Sequence, residues 1–127
     1  MIIYLACPYT SENQSISDER VSRATRAASL LMRRGFVVFS PITYGHALAK
    51  ELGNHQDSLF WIKHMLPYMT ICSYLYILQE DGWTTSKGIW EHEHKEAIRL
   101  NLPIRMITLE TLEQFEQERL AKEKEGA

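Results

Sequence analysis

The sequence predicts an α/β protein built on a parallel sheet, and three observations carry that expectation. Short apolar runs at Ile2 to Ala6, Phe36 to Phe39, Tyr74 to Leu78 and Pro103 to Ile107 are each bounded by turn residues. They are nearly continuous rather than alternating, as strands covered on both faces require. Between them lie stretches with apolar residues at helical spacing, and a strand–helix–strand order implies right-handed crossovers.

Taken in order, Ile2 to Ala6 is a buried strand followed by the polar loop Pro8 to Asn13, and Ser17 or Asp18 is the expected cap of the first helix. That helix runs to about Arg34 on the stripe Val21, Ala24, Ala27 or Ala28, and Leu31. Gly35 is its stop signal, and Arg33 and Arg34 suit the negative end of its dipole. Phe36 to Phe39, closed by Ser40-Pro41, reads as a central strand. A helix is expected around Gly45 to Leu52, a loop at Gly53 to Gln56, and another helix from Asp57 or Ser58 that Pro67 kinks or ends. A third strand at Tyr74 to Leu78 leads through Glu80-Asp81-Gly82 to a helix over Ser86 to Leu100. Pro103 to Ile107 is the fourth strand. Leu109 to Lys124 is a last helix with Leu112, Phe115 and Leu120 on its apolar face, Glu116 off it, and Glu118 paired with Lys122.

Composition bounds the function. The chain has 127 residues, 45% of them hydrophobic, enough for one core, and no internal repeat or domain boundary interrupts it, so residues 1–127 form one domain. Fourteen basic and sixteen acidic residues give a net charge of -2 with no basic block, which argues against a nucleic-acid polymer as partner and for a small molecule. The start lacks the basic flank and length of a signal peptide or membrane span, so a cytoplasmic protein is expected. The two cysteines, Cys7 and Cys72, have no metal-like spacing and read as reduced structural thiols.

Ligands of such sheets bind beyond the carboxyl ends of the strands, so the loops at Cys7 to Asn13, Ser40 to Tyr44 and Asp81 to Gly88 should converge. The third is the richest. Ser86 and Gly88 stand at a helix start, where free N–H groups and the dipole favour an anion such as phosphate; the competing reading is a plain helix cap and a turn glycine. Glu93 falls on the side of the following helix that carries Ile89, Ala97 and Leu100, where a half-buried carboxylate can be tuned for nucleophilic or acid/base work. Glu91 and Glu96 compete for that role. His92 and His94 lack the four-residue spacing of helical zinc pairs, so no metal is expected. His46, His55 and His64 read as surface or pocket-rim residues, and Trp61, Trp83 and Trp90 as core or interface aromatics, with stacking on a base the alternative for Trp83 in the loop before Ser86.

Several separated motifs then fall in a recognisable order: Ile3-Tyr4-Leu5-Ala6-Cys7-Pro8-Tyr9, Arg20, Gly35, Val38-Phe39-Ser40-Pro41-Ile42, Trp61, and Gly82-Trp83 with Ser86-Lys87-Gly88. Over roughly its first 108 residues the chain resembles the nucleoside 2-deoxyribosyltransferase-like superfamily, in particular its short single-domain branch. The resemblance implies a flavodoxin-like (Rossmann-like), doubly wound parallel sheet of four to five strands with helices on both faces. It implies cleavage or transfer at the N-glycosidic bond of a nucleoside or nucleoside 5′-monophosphate by a glutamate nucleophile, with no cofactor. It places Tyr9 near the sugar, Ser40, Pro41 and Ile42 near the base, and Ser86 with Gly88 at a 5′-phosphate or 5′-hydroxyl. Relatives close the site with a neighbouring subunit, so a homodimer or larger homo-oligomer is expected.

The chain also departs from the family pattern. Relatives place the glutamate six residues after the serine and four before an alanine; here the first count gives His92 and the second, from Ala97, gives Glu93. One residue is inserted, and the alanine count keeps the carboxylate inward. An upstream acid of relatives falls near Met65, beside His64, and an aspartate at the start of the third strand is replaced by Ser73. Tyr9, His64 or water are the candidate proton donors to the base. The rival expectation is a nucleotide-binding module that has lost its acidic partners.

Overall fold

The computed structural model describes residues 1–9, 14–53 and 57–126. A four-stranded sheet forms the centre: β1 (Ile2–Ala6), β2 (Val37–Phe39), β3 (Tyr74–Leu78) and β4 (Ile104–Ile107), in the order β2-β1-β3-β4. Every neighbouring pair is parallel, with Ile3 opposite both Val38 and Tyr74, and Leu75 opposite Ile104. The sheet is flanked by α1 (Gln14–Arg33), α2 (Pro41–Leu52), α3 (Ser58–Met65), α4 (His94–Arg99) and α5 (Leu109–Gly126). This is the flavodoxin-like strand order, with four strands among the described residues.

The period of two along each strand divides the core. Ile3 and Leu5 of β1 and Leu78 of β3 face α1 and α5, where Ala24, Ala27, Leu31 and Leu112 cover them. Tyr4, Ala6, Leu75 and Ile77 face the other way, onto Met69, Ile89 and Ala97. All four residues of β1 from Ile3 to Ala6 are at most 1% exposed, which is why that strand reads as an unbroken apolar run.

Five expectations need correction. The first helix begins at Gln14, ahead of both Ser17 and Asp18, and Ser17 is buried within it. β2 is an edge strand, not a central one: the chain returns across β1 to lay down β3 on its other side, and Val37 is left 58% exposed. The segment after Ser40 is helix rather than loop, because Pro41 with its fixed φ occupies the first turn of α2. The expected helix over Ser86 to Leu100 is broken into a π turn (Gly88–Glu93) followed by α4, with a short 3₁₀ turn (Trp83–Thr85) before it.

The fifth correction concerns α5. Glu116 is buried and Leu120 is 48% exposed, the reverse of expectation. The Glu116 carboxylate is covered by Arg119 and Arg33, which hold its pKa down to about 2. Arg26 pairs with Glu113, and the Arg34 guanidinium lies 4.0 Å from the centre of the Phe115 ring, so α5 docks on α1 as much by arginines as by Leu112. The ion pairs recorded along α5 join Arg119 to Glu116 and Glu123; Glu118 with Lys122 is not among them.

Asp57 caps α3 by accepting from the Phe60 N–H (2.9 Å), and Pro67 ends that helix in a 3₁₀ turn over Leu66–Ile71, as the sequence implies. The loops at Thr10 to Asn13 and Asn54 to Gln56, with His55, lie outside the described residues. No described helix is long and apolar enough to cross a membrane.

Candidate active site

The order of the sheet reverses between β1 and β3, and the segments leaving their carboxyl ends part there and open a crevice. A cavity of about 560 Å³ occupies it, within the range of small-ligand sites. Cys7, Pro8 and Tyr9 enter from β1, Pro41, Ile42 and His46 from α2, and Trp61 and Met65 from α3. Gly82 and Thr85 to Gly88 complete the ring with Glu91, His92 and Glu93. Gly45 lets α2 approach α3: a Cβ there would lie 3.3 Å from the Met65 methyl and 3.4 Å from Trp61.

Glu93 sits at the buried side of this cavity, 7% exposed, on the inward face with Ile89 and Ala97. Burial pushes its pKa up to about 8, partly offset by a hydrogen bond from the Tyr4 hydroxyl. Tyr4 is itself 1% exposed, edge-on to Phe39, and burial together with the Glu93 charge raises its phenol far above the ordinary range. The sequence reading assigns Tyr4 no role in the site. The signal was available, since a tyrosine inside an aliphatic strand needs a partner for its hydroxyl. Glu91, the competing carboxylate, is on the cavity rim and exposed, and Glu96 is turned away to pair with Arg99.

The Gly82 to Gly88 segment is held from α1. Arg23 makes a two-pronged bond to Glu80 (2.6 and 3.1 Å), and Arg20 reaches Asp81 at 3.6 Å. Gly82 has φ 89°, a backbone conformation that favours glycine, and a Cβ on it would lie 2.6 Å from Arg20 Nη2 and push the guanidinium aside. Ser86 Oγ accepts from the Ile89 N–H at 3.3 Å, which gives it the capping role. Its hydroxyl hydrogen is still able to donate into the cavity. Gly88 opens the same wall, with nothing nearer to its missing Cβ than Ser86 Oγ at 3.9 Å. Arg20 and Lys87 bring positive charge to this end.

Tyr9, Arg20, Pro41, Ile42, Ser86, Gly88, Glu91 and Glu93 are thus brought to one cavity, while Ser40, Trp83 and His64 are not among its lining. Ser40 is buried and donates to Thr43 Oγ1. Trp83 packs on Trp90, whose indole N–H donates to the Trp83 carbonyl (2.8 Å), so it braces the loop. His64 is exposed against Phe60. His46, read as a rim residue, lines the cavity with Tyr9.

Met65 is an apolar group buried in the cavity wall, at the position where the resemblance leads one to expect an acid. Ser73 is at the amino end of β3, where its N–H donates to the Ile2 carbonyl (2.7 Å), the opposite end of the sheet from the cavity. Its lack of a carboxylate therefore does not bear on the site. Burial raises the Cys7 thiol, and the Cys72 thiol to about 11, in keeping with structural roles. Among the described residues no cluster of His, Cys, Asp or Glu is arranged to hold a metal ion.

A 2-deoxyribosyltransferase from the psychrotolerant bacterium Bacillus psychrosaccharolyticus shares this fold, with a TM-score of 0.54 at 21% identity over 85% of this chain and 72% of that one. The fold is nucleoside 2-deoxyribosyltransferase-like. Comparison with curated protein sequences gives no match. A family model described as a domain of unknown function, DUF1937, matches residues 1–108, all of the sheet and every cavity residue, leaving α5 outside. The chain is therefore a member of the DUF1937 family.

Proposed function

We propose that the protein cleaves or transfers at the N-glycosidic bond of a (deoxy)nucleoside or nucleoside 5′-monophosphate, with Glu93 as the nucleophile. The observation that carries this reading is a carboxyl group buried inside a ligand-sized cavity, its pKa raised by burial and its hydrogen-bond partner among the described residues the Tyr4 hydroxyl. Perturbed carboxyls in clefts are candidates for chemistry rather than for stability. The resemblance noted in the sequence and the shared fold point to the same bond.

In the ionised form Glu93 attacks the anomeric carbon as the C–N bond breaks, through an oxocarbenium-like transition state, and a glycosyl ester forms. Water or a second base then takes the sugar and frees the carboxylate. Substrate binding excludes water from the cavity, and Tyr4 holds the carboxyl in place while its hydrogen bond favours the charged form. Ser86 and Gly88, with Arg20 and Lys87 nearby, suit a 5′-phosphate, and Pro41 and Ile42 offer an apolar wall to a base. A binding module without turnover is the second reading, favoured by Met65 on the cavity wall.

The substrate is a small molecule in either case. Tyr44, Leu48, Leu59 and Tyr68 leave an apolar surface exposed beside the cavity, and Leu59 also lines it, so a homodimer closing the site is part of the proposal. Nearby, Met65 is buried and Phe60 and Trp61 are half-buried, so Tyr68 is the aromatic of this region left exposed. Light scattering at micromolar concentration should return at least twice the monomer mass of 14.8 kDa.

The reaction is tested by incubating the protein with nucleosides and their 5′-monophosphates and separating released base by chromatography. Release by the wild type and its loss in Glu93→Gln support turnover. Binding without release by the wild type would leave the module reading.

A further inference from the structure

The cavity carries a second set of proton-bearing groups that the Glu93 chemistry leaves unused. The Tyr9 hydroxyl lies 3.2 Å from His46 Nδ1, with the two rings edge to face at 6.2 Å. His46 Nε2 lies 3.9 Å from Asp18 Oδ1 on α1. Tyr9 and His46 line the same cavity as Glu93, and the side chain of Asp18 is 57% exposed. The three therefore run from the cavity to solvent, and each ring nitrogen of His46 faces a different partner. In its doubly protonated form the ring can donate Nδ1–H to Tyr9 and turn Nε2–H toward Asp18.

A nucleobase leaves poorly as an anion, so N-glycosidic cleavage calls for an acid beside the base. We propose that Tyr9, backed by His46 and Asp18, is that acid, an inference that rests on the reading given under Proposed function. As the bond from the anomeric carbon to the base breaks, its electron pair goes to the base and the Tyr9 proton passes to a base nitrogen or oxygen. His46 Nδ1–H restores the Tyr9 proton and becomes neutral imidazole, while Glu93 holds the sugar as an ester. When water or an incoming base attacks the anomeric carbon, its proton returns through Tyr9 to His46, and the Glu93 carboxylate is released. The cycle balances with no further reactant.

The other groups facing the cavity fit this task less well. Glu91 is exposed on the rim, His92 shares the π turn with the nucleophile, Arg20 and Lys87 stand at the anion-binding end, and Met65 has no proton to give. Burial and the charge of Asp18 hold the Tyr9 phenol above its ordinary pKa, so it keeps its proton until the reaction draws on it. In this assignment Tyr9 is the catalytic acid, and His46 and Asp18 are positioning residues that act through it.

The test uses two kinds of leaving group: the four 2′-deoxynucleosides with their 5′-monophosphates, whose bases need a proton, and 4-nitrophenyl 2-deoxyribofuranoside, whose nitrophenolate leaves without one. Tyr9→Phe and His46→Gln should lower kcat/KM on the natural compounds by about 100-fold or more and on the nitrophenyl compound by less than about fivefold. Retained activity on the nitrophenyl compound also shows that each variant folds. An equal loss on both kinds, or no loss on either, would overturn the assignment while leaving Glu93 chemistry standing. A wild type that releases neither base nor nitrophenolate would overturn the N-glycosidic reading, and this inference with it.

Discussion

The Tyr4 hydroxyl donates a hydrogen bond to the Glu93 carboxyl, tying the central strand β1 to the π turn at the buried side of the cavity. The strand is rigid, with Tyr4 paired to Phe39 on one side and Leu75 on the other. The carboxyl is therefore aimed by the sheet, not by the loop that precedes it. Burial raises the Glu93 pKa and the hydrogen bond lowers it, so the pair sets both where the carboxyl titrates and where it points.

Glu93 should cost the protein stability at neutral pH. Its pKa of about 8 exceeds the ordinary 4.5 of the unfolded chain, so the folded form holds a proton that the unfolded form has lost. The stabilising contribution is complete below about pH 4.5 and is lost as pH rises through about 8. Glu93→Gln removes this dependence and should be more stable than wild type at pH 7 by on the order of 3 kcal/mol, with no gap at pH 4. Urea unfolding at a series of pH values measures it; a constant gap would mean that Glu93 is not titrating in this window.

Tyr4→Phe removes the one interaction that favours ionised Glu93, so the Glu93 pKa should climb further. Each unit of climb lowers the carboxylate fraction at neutral pH about tenfold, and base release should fall with it. Carbon-13 NMR of the labelled glutamate carboxyl follows the titration directly. An unchanged midpoint would remove Tyr4 from the electrostatics of the site.

Gly82→Ala should disturb the anion end of the cavity. The added methyl must adopt φ 89° and meets Arg20 Nη2 at 2.6 Å, so the guanidinium shifts away. A stability loss of about 1 to 2 kcal/mol is expected from the backbone strain. Calorimetry should show weaker binding of 5′-monophosphates, and Gly88→Ala, which meets only ordinary contact, should leave stability unchanged.

Ser86→Ala should act twice, because Ser86 Oγ also accepts from the Ile89 N–H. Loss of the cap should cost about 1 kcal/mol of stability. Loss of the outward hydroxyl should weaken 5′-monophosphates by about 1 to 3 kcal/mol more than unphosphorylated nucleosides. Equal weakening of both ligands would leave Ser86 a cap alone.

The strands and the inward placement of Glu93 were legible because both are written in local periodicity: Tyr4 and Leu5 must face opposite ways, and Glu93 shares its side with Ile89 and Ala97. β2 misled because an apolar run looks alike at the edge and the centre of a sheet; only the crossover to β3 decides its place. Leu120 and Glu116 misled because amphipathic spacing counts apolar residues, whereas Arg33 and Arg119 made the carboxylate the better buried group. Tyr9, His46 and Asp18 sit on three elements, and no sequence spacing announces that they meet.

The π turn over Gly88–Glu93 sets the phase of the whole segment. Adding a residue to an ordinary helix rotates everything beyond it by about 100°, which would carry the carboxylate out of the cavity or the Ser86 loop away from it. A turn closed one residue later absorbs the addition where it occurs. Ser86 and Glu93 then both stay on the wall of one cavity. The widened turn thus converts what looks like a frameshift of the site into a local swelling of the backbone. Glu91 and His92, the residues of the swelling that precede the carboxylate, reach the cavity from the same turn.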